Sequence, residues 1–63
     1  MKWTDVREIA IQLADSRPQE DPMRVRFVDL MQWVMELPGF ADKAERCNEK
    51  ILEAIQMAWM EER

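Results

Sequence analysis

Histidine is missing from this 63-residue chain altogether. Without it there is no Ser-His-Asp or Cys-His nucleophile, no His-ligated zinc and no imidazole to move protons near neutral pH. Most enzyme chemistry is thereby excluded, and the chain is expected not to be an enzyme. Cysteine occurs once, at Cys47. One thiol makes no internal disulfide, and small domains of oxidising compartments usually carry several, which favours a reducing cytosol. No apolar stretch approaches the roughly 20 residues that cross a bilayer, and Met1-Lys2-Trp3-Thr4-Asp5 has no signal-peptide core. A soluble cytoplasmic protein is expected, with no membrane partner. Positive charge is in deficit as well: 9 basic residues face 13 acidic ones, for a formal net charge of −4. That balance opposes the phosphate contacts that supply most nucleic-acid affinity.

What is present suffices for one small domain, residues 1–63. Surface scaling gives about 4,300 Å² folded against about 11,000 Å² unfolded, so only about 60% of the surface can be buried and stability is marginal. Val6, Ile9, Ala10 and Leu13 recur at i, i+3, i+4 and i+7, which predicts an amphipathic helix over about 4–16, with Thr4 as N-cap and Arg17-Pro18 as its end. Asp21-Pro22 can open one helical turn, with Asp at the cap and Pro in the first position. Phe27, Leu30, Val34 and Leu37, with Trp33 beside them, predict a second helix stopped by Pro38-Gly39. The third carries Ile51, Leu52, Ile55, Ala58 and Trp59 and runs to the charged tail. Its start is either the D-x-x-E capping box at Asp42 or Asn48. No segment alternates as a strand would, so the fold class is an all-α, compact three-helix domain without substantial sheet. Trp3, Phe27, Leu30, Trp33, Ile51, Leu52, Ile55 and Trp59 are the expected core.

Charge is divided unevenly. Residues 1–27 balance to zero, and the whole acidic excess falls in residues 28–63. There Glu45, Glu49 and Glu53 are spaced i, i+4, i+8 and would stack on one face of a continuous helix, repelling by a few tenths of a kcal/mol per pair. A cation or a basic partner relieves that repulsion. With oxygen donors only, the fitting ions are Mg²⁺, Ca²⁺, Mn²⁺ or Fe²⁺ held loosely with water; a solvated helix face is the plainer reading. Six methionines fill gaps where Val, Leu and Ile are few. Met31, Met35, Met57 and Met60 flank their stripes, cannot all be deep inside three helices, and so leave some apolar surface for docking. Cys47 has no second thiol and reads as incidental. Arg24 and Arg26 read as surface partners of Glu20 or Asp21.

Several stretches together resemble the IscX (YfhJ) family. These are Lys2-Trp3-Thr4-Asp5 with Arg7-Glu8-Ile9, Asp21-Pro22 with Val25-Arg26-Phe27 and Asp29, Gln32-Trp33, and Asn48-Glu49-Lys50-Ile51-Leu52-Glu53-Ala54-Ile55 with Trp59. The match runs without gaps over nearly the whole chain. The resemblance implies a modified winged-helix fold and a place in bacterial iron–sulfur cluster assembly. It also implies binding to the cysteine desulfurase IscS, at a surface shared with frataxin and ferredoxin, and weak Fe²⁺ binding by exposed carboxylates, as iron donor or iron-dependent modulator. On this basis Asp42, Glu45, Glu49 and Glu53 are the candidate iron contacts. Asp5, Glu8, Arg26, Asp29 and Gln32 are the candidate partner contacts, and a monomer is expected. Two departures stand out. The family's aspartate-rich run between the second and third helices is reduced here to Pro38-Gly39-Phe40-Ala41-Asp42-Lys43-Ala44-Glu45, and Val28 replaces an expected Thr, which removes a capping hydroxyl unless the helix starts earlier. A winged-helix DNA-binding domain and a generic helical interaction module, which exposed methionines could pair into a homodimer, are the alternatives. The acidic third helix counts against the first.

Overall fold

A computed structural model describes all residues, 1–63. Three α-helices form, α1 (Val6–Ser16), α2 (Phe27–Met35) and α3 (Glu49–Glu62), and no strand. Two single 3₁₀ turns, Pro22–Arg24 and Ala44–Arg46, sit in the connections. The accessible surface is 4297 Å², as expected for a chain of this mass folded around one core.

The stripe foreseen on α1 is the stripe that is buried: Ile9, Ala10 and Leu13 are inaccessible, and Val6 packs at their edge. These side chains meet Leu52, Ile55 and Trp59 of α3, and α1 on α3 is the main packing of the molecule. α2 lays Leu30 and Val34 onto this pair, and Leu37 closes the far end. Trp3 and Pro22, neither of them in an α-helix, are buried as well. Each large apolar side chain sequestered this way is worth roughly 1.5–3 kcal/mol. Of the expected core, Phe27, Trp33 and Ile51 are only partly buried.

The helix ends differ from expectation where two local signals compete. α1 is capped at Asp5, not Thr4, and the Asp5 carboxylate turns back to accept the Lys2 N–H at 2.7 Å while its own N–H donates to the Lys2 C=O at 2.9 Å. The closed turn 2–5 therefore fixes the entry to α1. Asp21 caps as expected, accepting the Met23 N–H at 3.0 Å, and Gln56 of α3 donates to the Pro22 C=O at 2.7 Å. α2 starts after Arg26, so Val28 lies inside the first turn, exposed, and no capping hydroxyl is lost there. Gly39 ends the following turn at φ 80°, the only positive φ in the chain, a conformation costly for a residue with a Cβ. The D-x-x-E box at Asp42 does not start α3. Asn48 does, its Oδ1 accepting the Ile51 N–H at 2.9 Å.

Candidate functional site

The four candidate iron contacts fall on three pieces of backbone. Asp42 lies in the loop after Gly39, Glu45 in the 3₁₀ turn Ala44–Arg46, and Glu49 and Glu53 on α3. Between the turn and the helix, Cys47 and Asn48 are extended, with ψ of 148° and 174°. The continuous row predicted from i, i+4, i+8 spacing is therefore broken after Glu45. Glu49 and Glu53 remain neighbours one turn apart, and both are solvent-exposed. Nowhere do three acidic or thiol side chains converge as an enclosed ion site would require.

Asp42 is occupied by the fold itself. Its Oδ2 accepts the Trp3 N–H at 3.1 Å and its Oδ1 accepts the Lys43 N–H at 2.8 Å, with Arg46 Nε 3.8 Å from Oδ1. The side chain is only 9% exposed. The Trp3 and Lys43 N–H groups hold its carboxyl below the ordinary 3.8, against a smaller opposing effect of burial, and Arg46 and Lys2 add to the depression. Around it the N-terminal segment lies along residues 39–43. The Met1 ammonium donates to the Gly39 C=O at 2.6 Å, the Ala41 N–H to the Met1 C=O at 2.8 Å and the Trp3 indole N–H to the Lys43 C=O at 2.8 Å. Phe40 meets the Trp3 ring edge-on at 4.8 Å. Both Asp42 oxygens are engaged by backbone N–H groups, whereas Glu45, Glu49 and Glu53 are exposed and hold no such bonds.

The partner-contact candidates divide into two groups. Asp5 and Glu8 lie at the N-terminal end of α1, Asp5 tied to Lys2 and Glu8 accepting from Gln12 at 3.3 Å. Arg26, Asp29 and Gln32 lie along α2, with Arg26 Nε 3.4 Å from Asp29 Oδ2 and Gln32 donating to Glu36 at 3.3 Å. Arg26 and Asp29 border an open polar depression whose floor includes Trp33, with Asp21 and Arg24 on its other rim. Arg24 pairs with Asp21 at 3.8 Å, as anticipated. Surface pairs of this kind contribute little to stability and leave their charges free to exchange partners.

Sequence reasoning missed what Trp33 does. Placed in the core by its position beside the α2 stripe, it is half-buried, with the Arg17 guanidinium 3.9 Å above its ring and Trp59 edge-on at 6.4 Å. A tryptophan one step off the apolar stripe and an arginine ending the preceding helix are the only hints of this stack. Trp59 is wholly buried and its indole N–H has no acceptor. Cys47 is half-buried beside the start of α3, and burial pushes its thiol above 9.0, so it is no activated nucleophile.

Residues 1–63 match the family model described as iron-sulphur cluster assembly. A protein of Pseudomonas aeruginosa, itself described as uncharacterized, is 64% identical over 63 residues, which span 100% of this chain and 96% of that protein. No helix is long and apolar enough to cross a membrane.

Proposed function

Because the chain belongs to the iron–sulphur cluster assembly family of IscX, we propose that it is a non-enzymatic adaptor that docks on the cysteine desulfurase IscS and holds Fe²⁺ weakly as exchangeable cargo. The observation that carries this reading is the full-length family match. The chemistry of the surface supports it: the acidic excess lies in residues 28–63, and Glu45, Glu49 and Glu53 stand in solvent with no salt-bridge partner. No polar or charged residue is buried as a whole, and the most enclosed carboxylate, Asp42, is taken up by backbone N–H groups, which suits a surface that binds by complementarity better than one that performs acid–base work.

The physical mechanism is electrostatic. A carboxylate-rich face speeds encounter with a basic groove and fixes orientation, and the attraction falls as salt screens it. Fe²⁺ held by Glu49 and Glu53 neutralises part of that face and so weakens the pull on the same groove. Frataxin and ferredoxin, if they use that groove, compete for it. Nucleic acid has no place in this scheme, because the α3 carboxylates repel phosphate.

Titration of isotope-labelled protein with purified desulfurase, anaerobically and with or without Fe²⁺, tests the proposal through the backbone amides that move. Changes concentrated at residues 45–53 and along α2, diminishing with salt, are expected. If no amide moves at low salt, the adaptor reading fails. If reversing Glu45, Glu49 and Glu53 to Lys leaves both iron and desulfurase titrations unchanged, this face is not the one used.

A further inference from the structure

The outer face of α2 is apolar: Val28 and Met35 stand in solvent, and Met31 between them packs only partly against the core. Val28, Met31 and Met35 recur at i, i+3 and i+7 and line one shallow groove with Gln32 and Glu36. Val28 is 67% exposed and Met35 38%, while Leu30 and Val34 on the opposite side are inaccessible. Helix propensity does not account for Val28 at this exposed position, because a β-branched Val is a poorer helix former than Lys, Arg, Gln or Glu. At 100° per residue the stripe has two borders. One is the core-facing side of Leu30 and Val34; the other is Gln32, Glu36 and Asp29. Glu36 has no cation within reach and accepts only from Gln32.

Resting on the adaptor reading, we infer that this stripe is the apolar anchor of the contact with the basic partner. The partner presents an apolar strip flanked by Lys or Arg side chains, and those cations meet the Glu36 border. Buried apolar side chains at the centre of a contact carry most of its strength, and charges at the rim set its encounter rate.

A second copy of this chain is a poorer occupant. Two-fold pairing of antiparallel helices brings the same border of each stripe together, so Glu36 and Asp29 would face their own copies on chains of net charge −4. A stable interface also takes about 800 Å² per partner, near a fifth of the 4297 Å² available, and five residues do not supply it. A contact with a different protein extends readily over the remaining acidic surface.

The experiment measures association and dissociation rates on purified desulfurase for wild type, Val28→Thr, Met35→Lys and Glu36→Gln, over a range of salt. Val28→Thr and Met35→Lys keep the helical signal and melting temperature, because both side chains are exposed. The expected result is faster dissociation, several-fold for Val28→Thr and roughly tenfold or more for Met35→Lys. Glu36→Gln instead slows association and flattens the salt dependence. If wild type binds and the two stripe variants dissociate at its rate, the anchor is overturned and the adaptor reading stands. If wild type does not bind, both fall. If sedimentation finds a dimer that Met35→Lys dissolves, the stripe belongs to a second copy and the inference is overturned.

Discussion

Asp42 accepts the backbone N–H of Trp3 at 3.1 Å across 39 positions of sequence. With Lys43 and Arg46 on its other oxygen, one carboxylate joins the N-terminal segment, the loop after Gly39 and the 3₁₀ turn before α3.

Asp42 therefore contributes to the acid limb of stability. Its folded pKa is depressed below 3.8, so the stability it contributes is complete above that value and is lost as pH falls through the lower folded pKa. Denaturant unfolding from about pH 2 to 7 should show wild type losing stability more steeply below about pH 4 than Asp42→Asn. Asp42→Asn keeps one acceptor and Asp42→Ala none, so the alanine variant should melt lower. Equal slopes for all three would contradict this role.

Asn48 and Thr4 should respond unequally to alanine. Asn48 caps α3 at 2.9 Å, and its loss should cost about 1 kcal/mol. Thr4 caps nothing, and Thr4→Ala should stay within about 0.5 kcal/mol of wild type. Urea titration of both variants decides the matter.

Trp59 combines full burial with an indole N–H that has no acceptor. Trp59→Ala should cost about 3–5 kcal/mol, enough to unfold so small a domain. Trp59→Phe vacates volume but also removes the unsatisfied donor, so its cost should be at most about half as large. Chemical denaturation of the phenylalanine variant, compared with Leu13→Ala as a pure cavity, measures that offset.

Glu49 and Glu53 should dominate any Fe²⁺ affinity, since they alone of the acids named for iron sit one helical turn apart. Replacing both with Gln should lower anaerobic Fe²⁺ affinity by about tenfold, and Glu45→Gln by much less. A larger effect from Glu45 would mean that the break at Cys47–Asn48 closes when metal is present.

Elements held by local chemistry were legible in the sequence. The α1 stripe, the Asp21-Pro22 turn and the Pro38-Gly39 stop all follow from residues a few positions apart, and the structure reproduces them. The start of α3 stayed open between Asp42 and Asn48 because the local pattern at Asp42, D-x-x-E, imitates a capping box, while its actual partner, Trp3, lies 39 positions away. The carboxylate row failed for a related reason: helical spacing carries a face only while the helix continues, and Asn48 caps afresh after Glu45. Trp33 exposes the limit of periodicity, which assigns a side chain to a face but not to the arginine that covers it.

The three tryptophans occupy three different surroundings, and the molecule thereby carries its own optical probes. Trp3 and Trp59 are 1% and 0% exposed, shielded from any soluble quencher, and differ in whether the indole N–H is bonded. Trp33 alone meets solvent, lining open depressions on both sides, toward Asp29 and toward Glu36. A partner settling over the depression lined by Asp21, Arg26 and Asp29 would displace water and the Arg17 guanidinium from that single ring. One seated only on Val28, Met31 and Met35, across the helix from Trp33, would leave it unchanged. Docking on the Trp33 side of the helix would then be readable as a colour and quenching change in the unlabelled protein, separable from unfolding, which exposes all three.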